Sequence, residues 1–204
     1  MSASLRLRGR LLAPAAVAAM ALFAAAVPAQ AQNAAAAPAA QTLVPAQSEV
    51  TFVAKQLGVP LNGRFKAFSV QSNFNPKAPQ ASQVAFTIDL GSVAINAETD
   101  AELAKPDWFN TVKFPKATFQ SSAIKPTGPG RFDVAGKLTI KGQARDLVVP
   151  VQLTQAAGVT TAAGGFTLKR LDFNVGGGDW GDPSIVANEV QVKFKLALKG
   201  VPAL

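Results

Sequence analysis

Apolar and polar side chains alternate between Val190 and Lys199, near the C-terminal end of the chain. Every second residue from 190 to 198 is apolar, and Gln or Lys fills most of the positions between them. Because successive side chains of a β-strand point to opposite faces, this period predicts a strand with one buried face and one wet face. A helix would instead repeat its apolar residues every three to four positions.

Several other segments carry the same period and are separated by Gly, Pro, Asn or Asp. Alternation covers residues 50–54, 84–90, 132–140 and 147–153, and we predict longer strands over 131–141 and 187–199 and a strand over 116–122. Asn62-Gly63 is a strong turn signal before Phe65. Long strands with a single apolar face are typical of a closed antiparallel barrel. The predicted fold class is therefore an all-β barrel of about eight strands, with a β-sandwich as the alternative.

One segment breaks the strand pattern. Residues 97–103 contain good helix formers, Asn96 precedes them as an N-cap, and Pro106 follows. We therefore expect one or two short helices beside the strands.

The N-terminal residues predict export. Residues 1–31 combine basic Arg6, Arg8 and Arg10 with an apolar stretch and a small-residue cleavage site at Ala29-Gln30-Ala31. We expect cleavage after Ala31 and a periplasmic location, with a retained signal anchor as the alternative. Residues 32–42 predict a disordered Ala-rich leader, and 43–200 the folded domain. No second apolar run is long enough to span a bilayer, so we expect no stable membrane insertion.

The residue types that are missing limit the chemistry. The chain has no His and no Cys, which removes Ser-His-Asp and Cys-His catalysis and the usual ligands of zinc, copper and haem iron. We therefore expect no catalytic residue, no metal site and no cofactor. A hydrolase that uses a pair of carboxylates is the remote alternative. The basic residues form no run, so we read them as a solvated surface and expect no nucleic-acid partner.

Aromatic residues concentrate between Asp107 and Phe119, although the whole chain is only 7% aromatic. Trp108 and Phe109 precede Phe114-Pro115, and a residue before proline avoids the helical region. The cluster therefore lies where a loop or short helix enters a strand. It is either a core plug or the wall of an apolar pocket. We expect Phe114 and Phe119 to close the core and Trp108 and Phe109 to contact a ligand.

Ordered motifs run through most of the chain. They are Ser48-Glu-Val-Thr-Phe52 with Gly58; Gly63-Arg-Phe65 with Phe68; Ser92-Val-x-Ile95 with Asp100 and Leu103; Trp108-Phe-x-x-x-x-Phe-Pro-x-Ala-x-Phe119; Gly136-x-Leu-Thr-Ile-x-Gly142; Val148-Val-Pro-Val151; Lys169-Arg-x-Asp-Phe173; Trp180; and Asn188-Glu-Val190. With these motifs the chain resembles the YceI-like family of exported, lipocalin-like lipid-binding proteins. It departs from the family at Gln47 and Gln56, where His is common, and at Thr99, where Arg is usual.

The resemblance implies an extended lipocalin-like barrel and a role in carrying or storing lipid in the periplasm, or in a stress response, without catalysis. The implied partner is a polyisoprenoid lipid, of the polyprenyl phosphate type, or an isoprenoid quinone. An interaction or stress module with a filled barrel and no ligand is the alternative. A homodimer is left open.

The candidate ligand residues of the lumen and mouth are mostly aromatic: Phe52, Leu57, Phe65, Phe68, Phe86, Trp108, Phe109, Phe114, Phe119, Phe173 and Trp180. The mid-strand residues among the phenylalanines, Phe52, Phe86, Phe132 and Phe194, are read first as plain core and second as ligand wall. Arg64, Lys169 and Arg170 are candidates for a headgroup, and Arg170 alternatively pairs with Asp172 or Asp146. The Gly176–Gly178 run with Trp180 predicts either a lid over the mouth or a plug.

Overall fold

The computed structural model describes residues 41–204, so the predicted signal peptide and almost all of the predicted leader lie outside the described residues. Within this range eleven strands pair into one antiparallel sheet. They are Thr42–Leu43 (β1), Glu49–Gln56 (β2), Val59–Phe65 (β3), Phe68–Ser72 (β4), Val84–Asp89 (β5), Val93–Ala94 (β6), Lys116–Gly128 (β7), Arg131–Ile140 (β8), Gln143–Ala156 (β9), Val159–Lys169 (β10) and Glu189–Lys199 (β11).

The sheet curls so that its two ends approach each other. The strand order is β4-β5-β7-β8-β9-β10-β11-β2-β3-β6, with β1 paired beside β11. Strands β3 and β4 stand near opposite ends of this order, yet only Lys66 and Ala67 separate them in the chain. Backbone bonds from Lys66 N to Ser92 O and from Asp89 N to Ala67 O, each 3.0 Å, secure this corner. The prediction of an all-β, lipocalin-like antiparallel barrel is confirmed. The described residues form eleven strands where about eight were predicted, and β1 and β6, with two residues each, are too short to show a period in the sequence.

The folded domain begins before residue 43, where the sequence predicted its first residue. Thr42 and Leu43 pair with Lys199 and Leu198 of β11. The Gln41 side chain donates to Phe74 O at 2.6 Å and accepts from the Ser72 hydroxyl at 2.5 Å. The predicted leader is therefore too long by two residues, because residues 41 and 42 already join β11 to the end of β4.

The predicted helix is present as α1, Ala97–Leu103. Asn96 Oδ1 accepts from Thr99 N at 2.9 Å, which satisfies one of the free N–H groups of the first turn. Glu98 and Asp100 add negative charge to that turn, where the helix dipole favours it. Within residues 41–204 the remaining helical segments are 3₁₀ turns: Pro45–Gln47, Pro79–Ala81, Leu90–Ser92, Arg170–Phe173 and Gly178–Trp180. The described residues contain no helix that is long and apolar enough to cross a membrane.

The predicted turn at Asn62-Gly63 is wrong, because both residues lie inside β3. The β2–β3 hairpin turns instead at Leu57-Gly58, whose φ angles are 49° and 79°. Two successive positive φ values match the right-handed twist of the flanking strands. Gly63 is needed for another reason: a Cβ there would overlap the ring of Phe52 on β2. Two more hairpins use the same kind of residue pair: Lys141-Gly142 and Ala157-Gly158.

The predicted strands are otherwise close to the observed ones. β8 ends one residue before the predicted boundary at 141, and β11 begins at Glu189 rather than at 187. β7 continues six residues beyond the predicted end at Ser122, because the chain resumes pairing with β8 after a register shift between Ser121 and Ala123. The apolar set of each strand faces the interior, so the inside of the barrel is a continuous apolar surface.

Candidate ligand cavity

Two cavities lie one after the other inside the curled sheet. The larger has a volume of about 500 Å³ and lies beside α1. The smaller has a volume of about 160 Å³ and extends towards Phe74 and Val201. The two share a ring of wall residues: Ile88, Ala117, Leu138, Phe166 and Val192. The two cavities therefore adjoin at this ring of side chains.

The smaller cavity is almost entirely apolar. Aliphatic and phenyl side chains line it, and the predicted Phe86 and Phe119 are among them. Phe74 packs edge-on against Phe132 at its far end, with ring centroids 5.1 Å apart. This part of the lumen can bury hydrocarbon but offers very few polar partners.

Aromatic rings form much of the wall of the larger cavity. Six of the predicted residues converge there: Phe52, Phe65, Trp108, Phe109, Phe173 and Trp180. Phe65 connects two others, with ring centroids 5.4 Å from Phe52 and 6.3 Å from Phe109. Trp108 is only 8% exposed and belongs to the buried core, and yet it also lines this cavity. Trp108 is therefore both a core residue and part of the pocket wall.

Glycines in the strands make room for several of these rings. A Cβ at Gly63, Gly136 or Gly164 would overlap the ring of Phe52, Phe119 or Phe194, respectively. Each ring thus lies close to the backbone of a neighbouring strand. The arrangement keeps bulky side chains against the wall and leaves the centre of the lumen open.

Polar side chains occur at the α1 end of the larger cavity. Glu98, Thr99 and Glu102 of α1 line it, together with Gln56 of β2. Glu102 also accepts a hydrogen bond from Lys105 Nζ at 2.5 Å. Residues 98 and 102 are four apart, which places them on the same helix face. Sequence reasoning did not select the two Glu residues, although their spacing beside a capped helix was a signal for a shared face.

Arg170 is buried in the wall and is only 3% exposed. Its five N–H groups all donate to backbone carbonyls, at 2.5 to 3.2 Å. The acceptors are Val175, Gly176, Trp180, Val186 and Ala187. Burial lowers the pKa of this guanidinium below its usual range, and no carboxylate pairs with it among the described residues.

This arrangement changes the predicted role of Arg170. With every donor in use, Arg170 has none left for a headgroup, and it pairs with neither Asp172 nor Asp146. Asp146 instead accepts from Lys137 Nζ at 2.8 Å on the surface. The guanidinium holds in place the loop that follows the 3₁₀ turn Arg170–Phe173 and leads to β11. Its planar fork can reach several carbonyls at once.

The loop held by Arg170 closes over one side of the larger cavity. Gly176 N and Gly177 N both donate to Asp107 O, at 2.8 and 3.1 Å, which fastens the loop to the segment after α1. Trp180 packs against Trp108, with ring centroids 5.6 Å apart and the ring planes tilted by 50°. The predicted Gly run is therefore part of a cover whose aromatic side chain forms cavity wall.

Three predicted apolar residues line neither cavity. Leu57 is 72% exposed, because it occupies the tip of the β2–β3 turn. Phe114 lies against Gly142 of the β8–β9 turn instead of pointing into the lumen. Phe68 packs on Phe86, with ring centroids 5.9 Å apart, and joins the core beside the smaller cavity without lining it.

Two predicted headgroup cations lie outside the lumen. Arg64 alternates along β3 with the inward-facing Gly63 and Phe65 and is exposed on the outer surface. Lys169 is exposed at the end of β10, next to the buried Arg170. The strand period that directs their neighbours inward directs both of these side chains outward.

Comparison with known proteins agrees with this geometry. Residues 41–198 match the model of the YceI-like domain. A UPF0312 protein of Azotobacter vinelandii is 33% identical over 62% of this chain and 70% of its own length. Protein YceI of Escherichia coli O157:H7 is 38% identical over 51% of this chain. That alignment covers 55% of protein YceI. A second alignment covers 53% of a UPF0312 protein from Ectopseudomonas mendocina, so this chain spans about half the length of each of these two relatives.

Solved structures share the fold. BcnA of Burkholderia cenocepacia superposes with a TM-score of 0.73 at 44% identity, over 76% of this chain and 98% of BcnA. A polyisoprenoid binding domain from Saccharophagus degradans superposes with a TM-score of 0.64 at 18% identity, over 80% of this chain and 99% of that domain. This chain therefore belongs to the YceI-like family.

Proposed function

We propose that this protein binds a long isoprenoid lipid inside the barrel. The observation that carries the proposal is the pair of apolar-walled cavities that meet at the ring around Ala117. An isoprenoid tail makes no directional bonds along its length, so a dry and close-fitting surface is sufficient to hold it. Each Å² of apolar surface removed from water contributes about 25 cal/mol.

The dimensions of the barrel support a long tail. β11 contains 11 residues, and at about 3.3 Å per residue such a strand is roughly 36 Å long. Alternate residues of this strand, from Val190 to Leu198, line the two cavities. The solved domain from Saccharophagus degradans, described as polyisoprenoid binding, has the same fold and is consistent with a ligand of this class.

We infer that the protein carries or stores its ligand and does not transform it. The carboxylates that line the larger cavity, Glu98 and Glu102, come from one helix face, whereas a catalytic acid and base flank the bond from two sides. Cavities of this size also disfavour a filled barrel that acts only as an interaction module. Export to the periplasm, predicted from residues 1–31, would place such a carrier between two membranes.

Native mass spectrometry and organic extraction of protein purified from its host test the proposal. We expect a bound apolar molecule, and we expect a purified prenyl lipid to bind on titration to delipidated protein. Empty protein that also binds no prenyl lipid would contradict the proposal.

A matched pair of variants localises the binding. Ala117→Leu adds bulk where the two cavities meet and should weaken binding of a long prenyl tail, whereas Ala163→Leu places the same side chain on the exposed outer face of β10. Circular dichroism identifies any loss of fold, because overpacking at a buried site costs about 1–3 kcal/mol. Equal binding by both variants would place the tail outside the lumen.

A further inference from the structure

The tip of the β2–β3 hairpin holds two apolar side chains in water. Leu57 is 72% exposed and Val59 is 61% exposed. Leu57 also has a φ of 49°, in the left-handed region that bulky side chains rarely occupy and that Asn tolerates. Asn-Gly is a preferred pair for a turn of this kind, so neither core packing nor turn formation explains a leucine before Gly58. Adjacent apolar side chains that are exposed in this way are typical of a surface that meets an apolar partner.

The outer face of the sheet behind this tip is basic. We call it the basic face, and its exposed cations are Lys55, Arg64, Lys66, Lys193 and Lys195. The chain neighbours of Lys193 and Lys195 all line the lumen, so the strand period directs both lysines outward. Neither of the two ion pairs in the described residues involves any of these five cations. Glu49 and Glu189 are the carboxylates of the same strands, so positive charge is in excess.

The register of the strands brings cations of the basic face together. Thr51 of β2 lies between Lys193 of β11 and Arg64 of β3, so the two cations are two strand spacings apart, about 10 Å. On its other side Lys193 faces Gly165 of β10, where a Cβ would lie 3.4 Å from Lys193 Cγ. A side chain at that position would crowd the lysine, so Gly165 leaves it accessible to a large partner.

We propose that the β2–β3 tip and the basic face together bind an anionic phospholipid membrane. Leu57 and Val59 enter the membrane interface, while the five cations contact lipid phosphates around them. A second copy of this chain would oppose the same cations across a two-fold contact, which like charges disfavour. The proposal goes beyond the proposed function, because it concerns contact with a membrane and not the ligand in the lumen.

The membrane-binding surface adjoins the cover of the larger cavity. Leu57 N donates to Ile185 O at 2.8 Å, and Ala187 N donates to Lys55 O at 2.9 Å. These bonds join the hairpin to the loop that Arg170 holds. A membrane bound at the tip therefore lies next to the cavity cover. Vesicle binding itself needs no ligand in the lumen, so its result does not depend on whether the proposed function holds.

Co-sedimentation with vesicles tests the proposal on protein purified from its host. We expect binding to vesicles of equal parts phosphatidylglycerol and phosphatidylcholine, and binding weaker by about tenfold or more to phosphatidylcholine alone. Added salt should weaken the first interaction, because it screens exposed charges. No binding to the anionic vesicles at low salt, or equal binding to both kinds, would overturn the proposal. Protein that binds polyglutamate but neither kind of vesicle would also overturn it, since the partner would then be an acidic protein.

A charge-matched pair of double variants localises the interaction. Arg64→Gln with Lys193→Gln removes two cations of the basic face, and Lys116→Gln with Lys125→Gln removes two exposed cations of β7. At physiological ionic strength we expect the first pair to weaken vesicle binding about 20-fold, or about fivefold for each cation. The second pair should bind within about twofold of the wild type, because its charges lie beyond the screening length from the basic face. Equal losses would show that net charge alone attracts the protein and would overturn the proposal.

Substitutions at the tip test its insertion. Leu57→Asn suits the turn, so we expect the free energy of unfolding in urea to stay the same or rise while vesicle binding falls about tenfold. Val59→Thr should also weaken binding. Val148→Thr makes the same change at a 56% exposed position of β9 and should leave binding unchanged. Binding at the wild-type level by both tip variants would overturn the proposal.

Discussion

The end of the Phe52 ring occupies the space where Gly63, its cross-strand partner, would otherwise carry a Cβ atom. The contact joins β2 to β3 and keeps Phe52 against the wall of the larger cavity. A turn-forming dipeptide in the sequence is therefore a packing site in the structure.

Gly63→Ala tests this contact. The added methyl group must displace the Phe52 ring into the lumen, so we expect the free energy of unfolding to fall by about 1–3 kcal/mol and lipid capacity to fall as well. Urea denaturation and lipid titration measure the two effects. Gly177→Ala is the control, because no atom lies within 4 Å of a Cβ there, and it should change stability by less than about 0.5 kcal/mol. A Gly63→Ala protein as stable as the wild type would refute the packing role.

Arg170→Lys tests the loop anchor. Lys has three donors and no planar fork, so at least two of the five carbonyls lose their partners. We expect a loss of about 2–5 kcal/mol in the free energy of unfolding and faster hydrogen exchange in residues 175–187. Lys169→Gln changes the exposed neighbour and should be neutral within about 0.5 kcal/mol. If the loop exchanged at the wild-type rate in Arg170→Lys, the anchor would lie elsewhere.

Trp180→Ala tests the cover of the cavity. Trp180 is half-buried, whereas Trp108 is core, so removing Trp180 opens the cavity with the smaller effect on folding. The lost aromatic contact is worth about 0.5–1.5 kcal/mol beyond its area, and we expect bound lipid to dissociate several times faster. Stopped-flow transfer of a fluorescent prenyl lipid to vesicles measures the rate. Asp179→Ala is the neighbouring control, and equal rates for both variants would argue that Trp180 does not retain the ligand.

Lys141 predicts a pH effect on stability. Its Nζ donates to Asn174 O at 2.6 Å and to Asp107 O at 3.2 Å, and burial lowers its pKa while Asp107 partly opposes the shift. The folded protein therefore releases this proton at a lower pH than the unfolded chain. Between the two pKa values the unfolded chain binds more protons, so the contribution of Lys141 to stability rises with pH.

The comparison of wild type with Lys141→Met isolates this contribution. As the pH rises towards the ordinary Lys pKa of about 10.4, the stability of the wild type should rise relative to that of the variant, because the pKa of Lys141 in the folded protein is lower. The chain has no Tyr and no Cys, so Lys residues dominate the titration in this range and the exposed ones cancel in the difference. A difference in unfolding free energy that falls with pH would reverse the assignment.

The fold was predictable because a barrel has one continuous inner face. The alternation along Val190–Lys199 therefore identified β11 and its lumen side directly. The helix was equally clear, since Asn96 and Pro106 mark its limits.

The site was only partly predictable, because residues of the same type occupy different environments in the fold. Phe52 and Phe114 look alike in the sequence, but one faces the lumen and the other covers a hairpin turn. Arg170 looked like a headgroup ligand, and only the path of the loop at 175–187 shows that carbonyls saturate it. Asn62-Gly63 misled for the same reason, since the ring that excludes a side chain at Gly63 belongs to another strand.

The meeting of the two cavities at Ala117 makes a tail that fills both sensitive to its length. Ala117 is the smallest side chain of the ring that the two cavities share. A short prenyl tail can be buried completely beside α1, and it gains nothing from the apolar space beyond the ring. A tail long enough to thread past Ala117 gains that second surface, so affinity should rise in a step with the number of isoprene units. The barrel then selects lipids by the length of the tail, whatever head group the tail carries.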